Sequence, residues 1–212
     1  DYGTVYKMVT KGKDLDVIHQ VLFTRAHVFY SIGDLESSDD DYKLMLKHDE
    51  TDQVAMVGLA RNMIERGNYN DAIELCNKCE KYDNTYEEIY RFRMQAYDKI
   101  AKTDLAIDDA FLYVYHSENA ESLYIESIIK KHLSYSLAKV NEMINNDSDN
   151  YRWKMLRTSI YEWMYDYVSA IAEYNNIEKE YGAFANIYYY KSICYNEIGD
   201  YDHAIAEITK YI

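Results

Sequence analysis

The sequence predicts an all-α fold, and three observations support that prediction. The 212 residues contain no proline and only seven glycines, although sheets and long loops normally use both residues in turns. Apolar residues recur at spacings of three and four, as in AIELCNKCEKY at 72–82, which is the period of a helix. Aromatic residues make up 15 % of the chain, which favours a packed interior over disorder.

The helices are predicted to recur with a period of 34 residues. The segments GNYNDAIELC at 67–76 and GDYDHAIAEI at 199–208 share a glycine, a turn residue, a tyrosine and an alanine in the same order. Small residues separated by one period are Gly33 and Gly67, Ala72 and Ala106, and Ala170 and Ala204. Such a period is typical of stacked helix hairpins, in which each hairpin covers the apolar face of its neighbour.

The repeated residues are interpreted as packing residues. Gly67 and Gly199 fall at the turn inside a hairpin, where the backbone needs a positive φ that glycine adopts without strain. Ala72 is small because a neighbouring helix is expected to approach closely. Tyr69 and Tyr201 are expected to fill the wedge between hairpins while keeping a hydroxyl for a polar contact.

In these motifs the chain resembles the tetratricopeptide-repeat family. The resemblance implies a right-handed superhelical solenoid of antiparallel helix hairpins, whose first helices line a concave groove that takes up extended or helical peptides. It also implies one repeat domain over 1–212, divided into a half unit at 1–18 and units at 19–52, 53–86, 87–120, 121–150, 151–184 and 185–212. The unit at 121–150 is shorter than the others, so we expect a kink or a shifted hairpin there.

Charge and composition narrow the classes of partner. The net charge of −14 repels polyanions, so nucleic acid is not an expected partner, and basic or neutral polypeptides are favoured. No apolar run approaches the roughly 18 to 20 residues of a transmembrane helix, so membrane insertion is not expected. Both a cytoplasmic and a periplasmic location stay open. Three cysteines are too few for a disulfide framework.

Three segments resemble chemical sites, and each has a simpler explanation. YGTVYK at 2–7 is similar to part of a kinase glycine-rich loop, but the chain lacks the H-R-D and D-F-G motifs. Cys76 and Cys79 form a C-x-x-C inside a predicted helix, and we interpret them as core cysteines. NNDSDNY at 145–151 has the alternating oxygens of a calcium loop without its glycine and its last glutamate, which favours an interhelical turn.

The acidic run ESSDDDY at 36–42 allows two interpretations, an acidic docking patch or the start of a helix. We favour the helix start, with Ser37 or Ser38 as the capping residue and Asp39 to Asp41 stabilised by the positive end of the helix dipole. No catalytic residue, metal site or cofactor is expected from the sequence, because no cluster of suitable side chains occurs in it.

Partner contacts are expected at first-helix positions that the packing residues leave free. Aromatic and arginine side chains at such positions are common energetic anchors of interfaces. The candidates are Phe23, His27, Tyr30, Arg61, Arg91, Gln95, His132, Arg152, Met155, Trp163, Tyr189 and Asn196. The alternative is that several of them pack inside the array. Chaperone-binding members of the family use lysines and asparagines along the groove, and no full set of these is present here.

The leading hypothesis for function is a non-catalytic scaffold that binds a peptide segment of a partner protein in its groove. The alternative is a sensor or regulatory segment of a larger signalling or transcription-regulating protein, since Asp1 and Ile212 both fall inside a hairpin. End units that expose apolar faces also predict end-to-end self-association.

Overall fold

The computed structural model describes residues 15–117, 123–182 and 185–211. Within those ranges the chain is helical with short turns and contains no strand, which confirms the all-α prediction. The helices are α1 (Leu15–Ser31), α2 (Leu35–His48), α3 (Gln53–Glu65), α4 (Tyr69–Glu80), α5 (Glu87–Lys99), α6 (Thr103–His116), α7 (Leu123–Ile129), α8 (Leu133–Asn146), α9 (Tyr151–Trp163), α10 (Tyr167–Tyr181), α11 (Ala185–Glu197) and α12 (Tyr201–Tyr211). None of the described helices is long and apolar enough to cross a bilayer.

Aspartate side chains begin several of these helices. Asp34, Asp52 and Asp166 each accept a hydrogen bond from the backbone N–H three residues ahead, at 3.1 Å in every case. Such caps satisfy N–H groups that have no partner within the helix. The prediction that Ser37 or Ser38 caps α2 is therefore wrong, because the cap is Asp34 and Ser37 donates its own N–H to it.

The turns inside the hairpins use a left-handed residue at one fixed place. Gly67 and Gly199 have φ of 80° and 81°, which confirms the positive φ expected at both. The same turn position is occupied by Ala101 with φ 56° and by Tyr165 with φ 61°. The turn geometry is thus kept even where the residue is not glycine.

The chain divides into two compact units, residues 1–121 and residues 122–212. In unit 1, α1 and α2, α3 and α4, and α5 and α6 form antiparallel hairpins, and each hairpin packs on the next through α2 with α3 and α4 with α5. The first helices also touch one another, α1 with α3 and α3 with α5. They therefore lie side by side along one face of unit 1.

The junction between the second and third hairpins shows how this packing works. Ala72, Cys76 and Cys79 of α4 meet Ile89 and Ala96 of α5 in one buried apolar cluster. All five side chains are buried, and the small ones allow the two helices to approach closely. Neighbouring hairpins therefore share one core, as the repeat pattern predicts.

Unit 2 contains the same kind of stacking with an irregular beginning. α9 packs on α8, α10 on α9, α11 on α10 and α12 on α11. α7 is short and continues into a 3-10 turn, Lys130–His132, after which α8 begins directly. The buried Ser136 hydroxyl of α8 donates to the Ile129 carbonyl of α7 at 2.9 Å. This irregularity lies in the segment where a kink or a shifted hairpin was expected.

Candidate partner-binding face

The first helices of unit 1 carry a cluster that we call the unit 1 face, formed by Phe23, His27, Tyr30, Arg61 and Arg91. On α1 the three rings follow one another at spacings of four and three residues, so they share one side of the helix. Phe23 and His27 lie edge to face with ring centroids 6.2 Å apart, and His27 and Tyr30 do so at 6.4 Å. Phe23 packs partly against the core, whereas His27 is exposed.

Arg61 of α3 lies over the last ring of this row, that of Tyr30. Its guanidinium carbon lies 3.6 Å from the centroid of the Tyr30 ring, and its Nη2 donates to the Tyr42 hydroxyl at 3.2 Å. Among the described residues, no carboxylate forms an ion pair with Arg61, and its buried Nε has no hydrogen-bond acceptor. The side chain is thus positioned by neutral groups and forms no ion pair within the described residues.

Tyr30 connects Arg61 to a nearby carboxylate. Its hydroxyl donates to Glu65 Oε1 at 2.9 Å. Burial raises the pKa of the Tyr30 hydroxyl and the bond to Glu65 adds to this effect, while the charges of Arg61 and Arg91 oppose it. Tyr30 therefore stays neutral at physiological pH and serves as a flat surface for the guanidinium.

The third hairpin contributes Arg91 and Gln95 from α5, and both side chains are half-buried. Arg91 forms an ion pair with Glu88 one turn earlier, and its guanidinium carbon lies 4.5 Å from the Phe92 ring centroid. Its charge also acts on Tyr30. Three successive first helices thus bring rings and guanidinium groups to one face of unit 1.

The predicted residues of unit 2 are more dispersed. Trp163 of α9 lies under the ammonium group of Lys130, which is 4.5 Å from its ring centroid. His132 is exposed in the 3-10 turn and stacks on Tyr135 with centroids 5.7 Å apart. In unit 2 a cation thus covers the Trp163 ring, and the His132 imidazole stacks on a tyrosine.

The remaining candidates of unit 2 divide into exposed and packed side chains. Tyr189 and Asn196 of α11 are exposed, and the Tyr189 ring touches Tyr211 at a centroid distance of 5.7 Å. Met155 packs against the core that α10 and α11 share, so its position is already explained by packing. Arg152 is half-buried at the start of α9.

A set of buried ion pairs was not predicted from the sequence. In four hairpins, a basic residue of the first helix meets an acidic residue sixteen positions later on the second helix. The pairs are Arg25 with Asp41, Arg93 with Asp109, Arg157 with Glu173, and Lys191 with Glu207. This constant separation of opposite charges is the sequence signal that identifies them.

Arg93 shows that the same side chain also joins neighbouring hairpins. Its Nε and Nη2 donate to both oxygens of Asp109, at 2.9 and 2.8 Å, and its Nη1 donates to Asn77 of the preceding hairpin at 2.7 Å. A further ion pair links it to Glu80 at 2.5 Å. Burial raises the pKa of Asp109 to about 6 and Arg93 opposes that effect, so Asp109 depends on this arginine to stay ionised.

Two other segments singled out in the sequence fall within the described residues, and neither shows binding geometry there. Cys76 and Cys79 are free and buried, and burial raises the pKa of each thiol to about 12, which confirms that they are core cysteines. In the turn at 147–150, the Asn150 amide donates to Asp147 at 3.0 Å, and Asn150 caps α9. YGTVYK at 2–7 lies outside the described residues, and within them no group of His, Cys, Asp or Glu is arranged to hold a metal ion.

No family model and no curated protein sequence matches this chain. Among solved structures, the complex of Naa15 and Naa10 with HypK-THB is similar over 90 % of this chain and 30 % of that chain, with 14 % identity and a TM-score of 0.53. The yeast Sti1 TPR2AB domain in its pHSP90 complex is 14 % identical over 92 % of this chain and 90 % of that chain, with a TM-score of 0.48.

A tetratricopeptide-repeat protein from Parabacteroides merdae is 15 % identical over 91 % of this chain and 78 % of that chain, with a TM-score of 0.47. Sequence identities this low are evidence of a similar fold and of no shared function. The hairpins described above stack through shared apolar cores and turn at equivalent left-handed residues. The chain therefore has a tetratricopeptide-repeat-like fold.

Proposed function

We propose that this chain is a non-catalytic scaffold that binds a peptide segment of a partner protein on the unit 1 face. The observation that carries this proposal is the placement of Arg61, which is fixed between Tyr30 and Tyr42 without an ion-pair partner among the described residues. A guanidinium held in this way loses little conformational freedom when it binds a carboxylate. Rigid aromatic and arginine side chains of this kind commonly dominate binding energy.

The chemistry of the unit 1 face favours a segment that carries a carboxylate next to an apolar side chain. Arg61 and Arg91 supply the charge for the carboxylate, while Phe23 and His27 supply ring surface for the neighbouring residue. The net charge of −14 does not oppose this, because a local pair of arginines determines the potential at short range. Contacts by Gln95 of unit 1, and separately by His132, Arg152, Trp163, Tyr189 and Asn196 of unit 2, stay part of the proposal, whereas Met155 is left out because it packs against the core.

Charge reversal on the unit 1 face tests the proposal. A library of displayed peptides is selected on the wild-type chain, and the affinity of the selected peptides is measured by fluorescence anisotropy. We expect Arg61→Glu and Arg91→Glu each to weaken binding about tenfold or more, which corresponds to about 1.4 kcal/mol. Higher salt is expected to weaken wild-type binding as well, because part of the attraction is between charges.

Arg66→Glu is the matched control, since it changes the net charge equally. Arg66 lies in the turn after α3 and pairs with Asp39 of α2 at 2.7 Å, so its charge already has a partner. We expect it to bind the selected peptides as the wild type does. Equal affinities for all three variants, with unchanged circular dichroism spectra, would show that peptides bind elsewhere.

A further inference from the structure

The α9–α10 hairpin of unit 2 carries a tyrosine at the left-handed position of its turn. Four other hairpins make the same turn with Gly33, Gly67, Ala101 and Gly199. A bulky side chain is strained in this conformation, because its Cβ approaches the following carbonyl oxygen. Tyr165 nevertheless has φ 61°, and its side chain is 80 % exposed. The ring therefore contributes little to the fold, and glycine would allow the same turn.

A second position of this hairpin departs from its equivalents in the same direction. Val168, in the first turn of α10, is 67 % exposed. The four other hairpins with a left-handed turn place polar residues there, which are Glu36, Asn70, Asp104 and Asp202. Met164, which precedes Tyr165, is exposed as well. We call these three side chains, Met164, Tyr165 and Val168, the Tyr165 patch. Its tyrosine and its valine are particular to this hairpin, so the repeat does not explain them.

The Tyr165 ring is supported by its neighbour Tyr167. The two rings lie edge to face at a centroid distance of 6.3 Å. Tyr167 is half-buried and packs against the core that α10 and α11 share. A ring supported in this way loses little conformational freedom when a partner packs against its exposed surface.

Three carboxylates lie beside this pair of tyrosines. Burial raises the pKa of the Tyr167 hydroxyl, and the charges of Glu197 and Glu162 raise it further, so both carboxylates act at close range. Asp166 lies between the two tyrosines in the chain. Within the described part of the chain, none of the three carboxylates forms an ion pair. They therefore favour a partner that brings positive charge.

Two cationic side chains on the neighbouring turns already have partners of their own. Lys130 pairs with Glu126 and lies 4.5 Å from the Trp163 ring centroid. His203 pairs with Asp200 at 2.8 Å. Neither of them forms an ion pair with the three carboxylates beside the Tyr165 patch.

We propose that the Tyr165 patch is a docking surface for a basic segment of a partner protein, in which a lysine or arginine stands next to an apolar side chain. The apolar side chain packs against Met164 and Val168, while the cation meets the Tyr165 ring and the carboxylates beside it. An anionic lipid surface carries the wrong charge for this site, and so does a second copy of the chain, whose net charge is −14. The site lies within unit 2 and does not rest on the unit 1 face.

Selection of peptides that depend on Tyr165 tests the proposal. Displayed peptides are selected on the wild-type chain in the presence of excess soluble Tyr165→Gly variant, and the affinity of the enriched peptides is measured by fluorescence anisotropy. We expect these peptides to carry Lys or Arg beside an aromatic or aliphatic residue. Tyr165→Gly and Val168→Asn are each expected to weaken their binding about tenfold or more, and Glu197→Gln about threefold. Enrichment of acidic peptides, or of none, overturns the proposal.

Thermal stability separates a binding role of Tyr165 from a role in the fold. Tyr165→Gly relieves the strain of the turn, so we expect its melting temperature to rise by about 2 °C while its affinity for the enriched peptides falls. A Tyr165→Gly variant that melts below the wild type overturns the proposal, because the ring would then be needed for folding.

Tyr151→Ala is the matched control, since Tyr151 is an exposed tyrosine at the other end of α9, about 20 Å from the turn. It is expected to bind the enriched peptides as the wild type does. Arg61→Glu is expected to bind them equally well, which distinguishes this site from the unit 1 face. Sedimentation with phosphatidylserine vesicles and sedimentation of the chain alone test the other occupants. Vesicle binding or self-association that Tyr165→Gly abolishes would assign the patch to lipid or to a second copy, and would overturn the proposal.

Discussion

Two neighbouring hairpins of unit 1, α3–α4 and α5–α6, occupy equivalent places in the array and are built around different centres. In the α3–α4 hairpin, Leu59 and Leu75 stand where the α5–α6 hairpin has Arg93 and Asp109. The leucines belong to an apolar cluster, whereas Arg93 and Asp109 form two buried hydrogen bonds. The fold therefore specifies a complementary pair at these two positions, and it accepts either an apolar pair or an ionic one.

The two solutions differ in what they require of their surroundings. A leucine pair needs only apolar neighbours, but a buried arginine needs an acceptor for each of its N–H groups. Arg93 obtains these from Asp109 on its own hairpin and from Asn77 and Glu80 on the preceding one. The ionic centre consequently ties the third hairpin to the second through hydrogen bonds, whereas the leucine pair packs against the first hairpin through apolar contacts.

The largest expected effect is the loss of one member of the ionic pair. Arg93→Leu gives the third hairpin the leucine that the second hairpin has at the equivalent position, Leu59. It leaves the Asp109 carboxylate buried without its cation. We expect the free energy of unfolding to fall by about 3–5 kcal/mol, the usual range for breaking a buried ion pair from one side. Urea denaturation followed by circular dichroism measures this loss.

Arg91→Leu is the matched control for this variant, because Arg91 lies two residues earlier on α5 and is only half-buried. Its ion pair with Glu88 is local and partly exposed, so we expect a change of at most about 1 kcal/mol. A loss below that limit for Arg93→Leu would mean that Asp109 finds another partner or water, and the distinction between the two hairpins would then disappear.

The second expected effect is recovery when both members are exchanged. The double variant Arg93→Leu with Asp109→Leu reproduces the leucine pair of the second hairpin and leaves no unpaired charge at this centre. Glu80 has a third of its side chain exposed and can turn to water once Arg93 is gone. We expect the double variant to lie within about 2 kcal/mol of the wild type, since such replacements are often neutral.

A double-mutant cycle with Asp109→Leu gives the coupling energy between the two positions. Strictly additive losses would contradict the interpretation, because they would show that the two side chains act independently. Recovery beyond the wild type would sharpen it, since the ionic pair would then serve to join hairpins rather than to stabilise one.

The features predicted from the sequence are those that depend on local periodicity. Apolar spacing predicts the helices and their stacking in hairpins. The glycines at 67 and 199 predict a positive φ, because glycine adopts that conformation without strain. The buried pairs were not predicted, because a charged residue in a helix is normally taken as exposed. Arg91 and Arg93 look equivalent in the sequence, and only the neighbouring helices separate their roles.

The binding candidates were harder to predict for a related reason. Spacing places a residue on a side of a helix, but a small rotation of that helix decides whether the side chain faces water or the core. Met155 packs into the core of unit 2, while Tyr189 remains exposed. The contact between the Arg61 guanidinium and the Tyr30 ring requires α1 and α3 to lie at a defined distance. The sequence does not specify that distance.

The smallest expected effect concerns the turns of the same two hairpins. Gly67 turns the second hairpin with φ 80°, and Ala101 turns the third with φ 56°. A left-handed conformation costs a residue with a Cβ about 1–2 kcal/mol, whereas glycine adopts it without that strain. We therefore expect Ala101→Gly to stabilise the protein by about 0.5–1 kcal/mol, after allowing for the greater freedom of glycine in the unfolded chain.

Gly67→Ala is the reciprocal exchange and is expected to destabilise the protein by about the same amount. A Cβ at Gly67 would meet no atom within 4 Å, so the loss would come from the backbone conformation and not from a steric clash. Thermal melts of both variants and of the double exchange measure these changes. If Ala101→Gly destabilises the protein, the third hairpin does not need its left-handed turn, and the two hairpins differ in backbone as well as in their centres.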